Sequence, residues 1–329
     1  MNNPRFVKKK QLLFLSIGLF CSTWTNAQVD SLYIGKYKHT YGATGSLKQE
    51  FLSLNYKEDK KEFNFEPNRP LNIGVAFAWK NSSLSYSHGF SGMRDKEKGK
   101  SSTVDLQYHL VGKKFMVDFY FQQYKGFYRL DADSKNYLSF NDLRINMYGG
   151  RFTYVFNSNK FSIGAANNKN SIQKKSAGAL LLGGSSFLTV IKNTPELHEG
   201  IQGNDRRSFS FGPTLGYAYN WVLWKKFLVS ASFSAGINGI FDENIQTKNT
   251  VFYVNGQIAS TFNLAYQGEE WGIGVRSSLS AMYFDKVEGY TTELSNKGFS
   301  LFVTKRFSMK KDPKIFQYDL IDLLNPSTY

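Results

Sequence analysis

The sequence predicts an all-β protein, a transmembrane antiparallel up-and-down β-barrel of about twelve strands. Long runs of alternating apolar and polar residues are the first observation, and four of them lie between Phe209 and Phe284. Alternation with period two gives a strand one apolar and one polar face. The second observation is that these runs hold roughly ten or more residues and carry aromatic side chains at their ends, as membrane-spanning strands do.

Composition supports strands rather than helices. The chain of 329 residues contains 29 Phe and 20 Tyr but only 7 Pro, and this mixture favours twisted antiparallel sheet. Mean hydropathy is −0.38, which excludes a helical membrane protein. A membrane barrel is compatible with that value, because only every second residue of a strand meets lipid.

Residues 1–27 have the features of a secretory signal peptide. Basic residues open the segment, Leu12 to Phe20 is an apolar run too short to span a membrane, and Thr25-Asn26-Ala27 fits a cleavage site. The only cysteine, Cys21, lies inside this segment. The mature chain is therefore expected to have no disulfide, no thiol nucleophile and no cysteine metal ligand.

The charge of the chain bears on its partners. Its net charge of +15 falls to +11 when the four basic residues of the signal segment are removed. A basic exported chain can contact anionic head groups or acidic glycans. Nucleic acid is not expected as a partner, because no basic helix or nucleic-acid motif occurs. We expect the cell outer membrane of a Gram-negative bacterium as the location, with outer-membrane lipid and the barrel-assembly machinery as partners.

Four segments and twelve strands account for the pattern along the chain. The segments are a signal peptide (1–27), a periplasmic leader (28–46), an outer-membrane β-barrel (47–307) and a periplasmic tail (308–329). The strands are expected at Leu47–Lys57, Leu71–Lys80, Leu84–Phe90, Val104–Leu110, Phe115–Phe121, Leu143–Phe156, one element within 160–191, four runs within 209–284, and Phe299–Phe307.

Turn lengths predict the topology. Short turns near 81, 112, 158, 225 and 268 alternate with long polar links, and outer-membrane barrels keep short turns on the periplasmic side, so both termini are expected there. The element within 160–191 contains a polar insert, Asn167–Ser176, which predicts an interrupted strand with a bulge or an excursion into the lumen. A separate strand at Phe161–Ala166 would give thirteen strands and break the alternation. The apolar parity shifts at Gly149-Gly150, which predicts a β-bulge.

The C-terminal region holds two further signals. The last strand ends on the aromatic Phe307 and follows Asn296-Lys297-Gly298, a pattern that indicates a barrel-assembly signal. Beyond it, the apolar residues of 310–329 have a spacing that allows a short amphipathic helix. Such a tail could enter the periplasmic mouth, lie on the membrane or bind a periplasmic partner, and a disordered tail is the open alternative.

His109 is the histidine whose neighbours point to chemistry. A turn at Gly112-Lys113 is expected to pair His109 with Met116, Gln107 with Asp118, and Asp105 with Tyr120. Asp118 is then diagonal to both His109 and Asp105, within reach of long side chains. A histidine between two carboxylates can act as a general base.

The alternative for this group is an ordinary polar lumen whose charges pair with Arg144, Arg151 or Arg276, and it is favoured. No serine lies in a nucleophile motif, and no cluster of His and carboxylate residues has metal-site spacing. Glycine-rich stretches lack phosphate-loop or dinucleotide spacing. Neither a cofactor nor a metal is therefore expected.

Three functions remain open from the residues. The favoured one is a non-enzymatic barrel: a narrow pore, a transport component or an envelope scaffold, since about twelve strands lies between a filled lumen and an open channel. The second is a barrel hydrolase that acts on lipid or peptide through His109, Asp105 and Asp118. The third is a soluble secreted barrel that binds an apolar ligand inside.

Six stretches between Leu32 and Phe307 also carry a family resemblance. They are Pro67–Gly74, Tyr124–Tyr128, Tyr148–Gly150, Lys174–Gly178, Leu181–Gly184 and Phe211–Tyr219. These motifs resemble the uncharacterised Bacteroidetes family called domain of unknown function 4421. The resemblance implies an outer-membrane protein and brings no assigned activity, substrate or site residue.

Overall fold

The computed structural model describes residues 29–58, 61–68, 71–89, 94–131, 136–167, 169, 171–198, 201–287 and 290–318. The expected signal peptide, 1–27, and the part of the tail after residue 318 lie outside the described residues.

Strands dominate the described part of the chain. They are β1 (Ile34–Lys36), β2 (Tyr41–Glu58), β3 (Lys61–Phe65), β4 (Asn72–Trp79), β5 (Ser82–Gly89), β6 (Ser102–Val111), β7 (Phe115–Leu130), β8 (Tyr137–Val155), β9 (Ser171–Gln173), β10 (Ala177–Lys192), β11 (Glu196–His198), β12 (Ile201–Gln202), β13 (Arg206–Leu223), β14 (Phe227–Asn244), β15 (Thr250–Gln267), β16 (Trp271–Val287) and β17 (Tyr290–Phe307).

Twelve of these strands form a closed antiparallel ring. Neighbours in the ring follow the chain order, and β17 pairs with β2 along its whole length to close it. β3 folds back beside β2 as an extra short strand. Closure pairs the backbone groups that an open sheet edge would leave exposed. The predicted twelve-strand up-and-down barrel is confirmed.

The two ends of the barrel differ in their connections. At the end we call the turn end, residues 80–81, 112–114, 224–226 and 268–270 join strands tightly, and both termini of the ring lie there. The opposite, loop end carries connections of five residues or more, except that β16 ends at Val287 and β17 begins at Tyr290. The turn end has one long connection, between β8 and β10. The ring starts at Tyr41, six residues before the expected Leu47, because Tyr41 pairs with Phe307.

An apolar belt covers the outside of the ring. Phe233, for example, has 55% of its surface exposed. A protein in water rarely exposes a continuous apolar area of this kind, so the predicted outward direction of the apolar parity is confirmed. Members of the belt on successive strands are Leu47, Ile73, Val75, Leu84, Leu106, Phe119, Phe152, Leu182, Phe211, Leu215, Phe233, Ile237, Phe252, Val254, Phe262, Ile273, Phe299 and Leu301.

The lumen is filled by apolar side chains at the loop end. This loop-end core consists of Leu52, Leu54, Tyr56, Phe65, Tyr124, Phe127, Leu143, Ile145, Phe187, Ile191, Leu197, Ile240, Met282, Phe284 and Leu294. Thirteen of these side chains point inward from ring strands whose opposite faces carry the belt, and Leu197 comes from β11. The extra strand β3 contributes Phe65, which packs edge-to-face on Tyr56 with ring centroids 6.1 Å apart.

The loop-end core corrects one expectation about β8. No register shift occurs at Gly149-Gly150 against either neighbouring strand, so the bulge predicted there is wrong. Leu143 and Ile145 are apolar because they face the loop-end core, whereas Phe152 is apolar because it faces outward. The apolar residues change face because the lumen itself becomes apolar. A bulge does occur on β7, at Gly126, whose φ is +83°.

The described residues of 157–176, which leave out 168 and 170, fold into the turn end of the lumen, and we call this segment the plug. It contains a one-turn helix, Ile163–Ala166, capped by the Ser162 hydroxyl, and β9, which pairs with β1. Its apolar side chains pack with the wall in a second core that includes Phe161 and Ile163. The predicted excursion into the lumen is therefore confirmed, but the ring strand begins only at Ala177 rather than earlier in 160–191.

Gln173 anchors the plug and is fully buried. Its side-chain oxygen accepts hydrogen bonds from the Ser162 backbone N–H at 2.8 Å and from Asn220 Nδ2 at 3.0 Å. Its side-chain nitrogen donates to the backbone carbonyls of Lys160 and Lys175 at 2.6 and 2.8 Å. One side chain thus ties both ends of the plug to the barrel wall.

The first residues of the tail pack against the outside of the barrel at the turn end. The Phe316 ring lies 4.9 Å from that of Phe77 and 5.4 Å from that of Trp79. Tyr41 donates a hydrogen bond to Asp312 at 2.8 Å. In the described part of the tail, where the spacing allowed a short amphipathic helix, the chain forms a single 3-10 turn, Lys314–Phe316. The described tail therefore covers the outer face and does not enter the mouth.

Candidate functional site

A polar chamber lies between the two apolar fillings of the lumen. Its volume is about 270 Å³, and the inward faces of seven ring strands supply its polar wall. Because the chamber is walled by protein, interactions between its charges are stronger than in water. Its ionisable and amide side chains are Lys48, Glu50, Gln107, His109, Tyr120, Gln122, Arg151, Gln257, Arg276 and Asn296.

His109 and Asp118 meet at the turn-end side of this chamber. The His109 Nδ1 atom lies 2.6 Å from Asp118 Oδ1. The two residues are directly opposite each other, because the backbone N–H of Gly112 bonds to the Phe115 carbonyl and leaves Lys113-Lys114 as the tight loop. The expected pairing of His109 with Met116 is therefore wrong by two positions, and the diagonal contact becomes a direct one.

Asp105 does not join this pair. Gln107 Nε2 donates to both of its carboxylate oxygens at 2.9 Å, and Gln122 Nε2 donates at 3.1 Å. The Ser87 hydroxyl adds a bond of 3.3 Å. Asp105 pairs with Gln122 rather than with Tyr120 across the strands. The structure thus gives His109 one carboxylate partner, and the predicted group of one histidine and two aspartates is not formed.

Ser83 is a residue of the site that sequence reasoning missed. It faces His109 directly from β5, so Ser83, His109, Asp118 and Arg151 form a row across four adjacent strands. Ser83 is buried, and its hydroxyl accepts a hydrogen bond from the Lys169 ammonium of the plug. The inward parity of Ser83, shared with other serines of β5, was the signal available in the sequence.

Two of the three arginines expected to face the lumen do so. Arg151 and Arg276 line the chamber, as the polar-lumen alternative expected, whereas Arg144 is exposed and lies off the chamber wall. Arg276 stacks over Phe302 at 5.9 Å, and its Nε atom is buried with no hydrogen-bond acceptor among the described residues. The chamber therefore holds guanidinium charge that Asp118, already bonded to His109, neutralises only in part.

A second cavity, of about 550 Å³, opens between the plug and the ring at the turn end. We call it the basic vestibule, after the six basic residues in its wall: Lys36, Lys38, His39, Lys80, Lys113 and Lys169. Lys169 belongs to the plug, which connects β8 to β10. Burial, and then the nearby Arg276 guanidinium, lower the pKa of Lys169 to about 7. Burial raises the pKa of Tyr37, another wall residue, to about 12, so its phenol stays neutral.

Neither a cluster of metal ligands nor a membrane-spanning helix occurs among the described residues. No group of three or more His, Cys, Asp or Glu side chains has the arrangement of a metal site in that part of the chain. No helix there is both long enough and apolar enough to cross a bilayer.

The family described as Domain of unknown function (DUF4421) matches residues 28–307. The chain belongs to this family. The match covers the ring, the plug and both cavities, and it confirms the resemblance carried by the six motifs. The family description names no activity, so the reading of the chamber and the vestibule rests on their own geometry.

The chain is also similar to parts of known barrels. It aligns with the translocator domain of the autotransporter NalP from Neisseria meningitidis at 13% identity and a TM-score of 0.40, covering 92% of this chain and 96% of that one. The β domain of the Bordetella autotransporter BrkA aligns at 10% identity with a TM-score of 0.42, covering 82% of this chain and 100% of that one. The toluene transporter TodX of P. putida aligns at 8% identity with a TM-score of 0.30, covering 82% of this chain and 91% of that one. Such low TM-scores carry no inference about this chain. No curated protein is similar to it.

Proposed function

We propose that the protein is an outer-membrane β-barrel with a closed lumen, acting as a non-enzymatic envelope component rather than as an open diffusion pore. The observation that carries the proposal is the combination of an apolar outer belt with apolar fillings at both ends of the lumen. Export through the 1–27 signal and insertion by the barrel-assembly machinery belong to the same proposal.

The belt supports a membrane location. Only helices and closed barrels satisfy all backbone polar groups within a bilayer, and this ring is closed. In water, exposed side chains such as Phe252 and Val254 would remain unfavourably hydrated. A soluble secreted barrel that binds an apolar ligand fits less well, because its largest apolar surface would face solvent.

The two fillings support a closed lumen. The fifteen residues of the loop-end core include twelve that are no more than 1% exposed, and close packing of this kind leaves no passage for hydrated solutes. At the turn end, the plug is fixed by the buried Gln173. Solute transport would require both fillings to move, which makes a scaffold or anchoring role the better supported reading of the barrel.

Fractionation and bilayer recording test this proposal together. We expect the protein in the outer-membrane fraction, with gel migration that changes on heating, as folded barrels show. Purified protein added to planar bilayers is expected to give no conductance steps. Recovery from the soluble periplasm would overturn the membrane location, and steady channel openings would overturn the closed lumen.

A hydrolase that acts on lipid or peptide is the second candidate, favoured by the row of Ser83, His109 and Asp118. In such a row, the serine oxygen attacks a carbonyl carbon while His109 takes the hydroxyl proton and passes it to the leaving group. Water then releases the acyl group from the serine. Asp118 would orient the imidazole through the 2.6 Å contact.

A fluorophosphonate probe tests the hydrolase directly. Labelling of the wild type, lost in Ser83→Ala and in His109→Ala, is the result that supports it. Ser85→Ala is the matched control, because Ser85 has the same inward parity on β5 but does not face His109. Absence of labelling in the folded wild type would remove this candidate.

A further inference from the structure

The basic vestibule has a wall of one charge sign. Five lysines and one histidine line it, and no Asp or Glu occurs among its described wall residues. Lys36, Lys38, Lys80 and Lys113 lie at its exposed rim. Glu269, beside this wall, accepts a hydrogen bond from the Lys38 backbone N–H. The remaining like charges around a cavity of about 550 Å³ are unfavourable unless solvent or a bound anion compensates them.

Lys169 forms the inner end of the vestibule and connects it to the chamber. Its ammonium donates to Ser83, which in turn faces His109 of the chamber wall. Arg276 and Lys48 act on Lys169 as repelling charges, and Asp118 acts as an attracting one. Since Asp118 also bonds to His109, the positive charge at this position exceeds the negative charge.

The chamber side shows the same excess. Arg276 presents a buried Nε–H with no acceptor among the described residues, and a buried donor without a partner is unfavourable. Glu50, a second carboxylate of the chamber wall, lies 3.7 Å from Lys48. Arg151 stands opposite Asp118 on the next strand, and Asp118 also acts on Arg276, Lys169 and His109. An added anion near Lys169 would interact favourably with the basic groups.

We propose that the basic vestibule binds a small, multiply charged anion of the phosphate class, with Lys169 as its innermost ligand. Ammonium groups act as mobile point charges with three donors each, which suits a phosphate group. The phosphate could belong to a free periplasmic solute or to a lipid head group, and the chemistry of recognition is the same. This inference does not depend on whether the lumen conducts.

Calorimetric titration of inorganic phosphate into the purified full-length mature barrel, at low ionic strength to limit screening, tests the proposal. Saturable binding is expected for the wild type. Lys169→Met, and separately the triple variant Lys36→Gln, Lys80→Gln and Lys113→Gln, are each expected to weaken it by roughly tenfold or more. Heat-modifiable migration of each variant establishes that it is folded.

The matched control is a triple variant at the loop end, Lys100→Gln, Lys125→Gln and Lys248→Gln, which removes the same charge from exposed positions. It is expected to bind phosphate within about twofold of the wild type, because screening confines each lysine's effect to its own neighbourhood. No saturable binding by the wild type, or an equal loss in the control, would overturn the proposal.

Two additional arms identify the source of the phosphate. Phosphate binding is measured in nanodiscs of zwitterionic lipid alone and in nanodiscs with anionic phospholipid added. Weaker phosphate binding in the second, through competition by the anionic lipid, assigns the site to a head group. Unchanged phosphate affinity assigns it to a free solute. An acidic peptide that binds in a Lys169-dependent way, while phosphate does not, would contradict a small-anion site and point to a protein partner instead.

Discussion

The Lys169 amine lies inside the barrel, where most of its surface contacts protein. The rest of its surface faces the basic vestibule. Withdrawal from water disfavours the charged form, and Arg276 adds repulsion, so its pKa falls from 10.5 to about 7. Ser83 then holds the nitrogen in place by a hydrogen bond.

This lowered pKa predicts a pH-dependent stability. Between about pH 7 and 10.5 the unfolded chain binds a proton at Lys169 that the folded protein does not, so folding becomes more favourable as pH rises through that window. Lys169→Met removes this dependence. Its stability advantage over the wild type, measured as urea midpoints from heat-modifiable migration, is expected to be largest near pH 6.5 and to shrink towards about pH 10.

Lys160→Met is the control for this comparison, because Lys160 lies in the same plug but is exposed. Its difference from the wild type is expected to stay constant with pH. His109, Asp118, Arg276 and Lys48, the charged groups that act on Lys169 or are acted on by it, are present in all three proteins. A pH-independent difference for Lys169→Met would show that Lys169 is hydrated in the folded state.

At the level of single residues, alternation in the sequence was enough to place His109 and Asp118 on the inner face. It was not enough to pair them, because a one-residue error in the position of the turn changes the register by two. Ser83 and Lys169 escaped prediction for another reason. Their contact joins residues 86 positions apart, and no local pattern reports a long-range contact between a strand and the plug.

The plug is the element that separates the vestibule from the interior. Gln173→Leu would leave the Ser162 N–H, the Asn220 amide and the carbonyls of Lys160 and Lys175 without their present partner. Each buried group left unsatisfied costs about 1–3 kcal/mol. Hydrogen exchange followed by mass spectrometry is expected to rise by tenfold or more, roughly, across 160–176, with the ring strands unchanged.

Gln246→Leu, on an exposed connection at the loop end, is the matched substitution and is expected to leave exchange in the plug as it is. Unaltered protection of 160–176 from hydrogen exchange in Gln173→Leu would show that the apolar contacts of Phe161 and Ile163 hold the plug without the Gln173 hydrogen bonds.

The tail is the second element whose contacts make a prediction. Phe316 packs on Phe77 and Trp79, and such ring pairs contribute about 0.5–1.5 kcal/mol each beyond the area that they bury. Phe316→Ala is expected to speed proteolytic removal of the tail several-fold. Ile315→Ala changes a neighbour that is 77% exposed and is expected to have no effect; equal cleavage rates for both would place the tail off the barrel.

Strands were predictable from the sequence where apolar and polar residues alternate without a change of face. The four strands between Phe209 and Phe284 have a polar inner face over much of their length and an apolar outer one, so their alternation is clear. On β8 the signal was ambiguous, because Ile145 faces an apolar lumen while Phe152 faces outward. A change of apolar parity indicates a bulge only where the lumen is polar, and beside Ile145 the lumen is apolar.

For the whole molecule, the barrel buries apolar side chains inside its two ends while keeping an apolar belt outside. The loop-end core and the plug account for the closed lumen, and the polar chamber is what remains between them. Closure of the ring by β17 and β2 joins residues far apart in the chain. Strand count and turn lengths predicted that closure, whereas the filling of the lumen required knowledge of which side chains meet across it.

Site-directed spin labelling along β14 measures the central claim most directly. Single cysteines at 231–238, in the mature chain that lacks Cys21, would carry a nitroxide in reconstituted vesicles. A lipid-facing belt predicts that collision with oxygen, which concentrates in lipid, peaks at Phe233 and Ile237 and falls at Ser232 and Asn238. High accessibility of Phe233 and Ile237 to a water-soluble nickel chelate would contradict it.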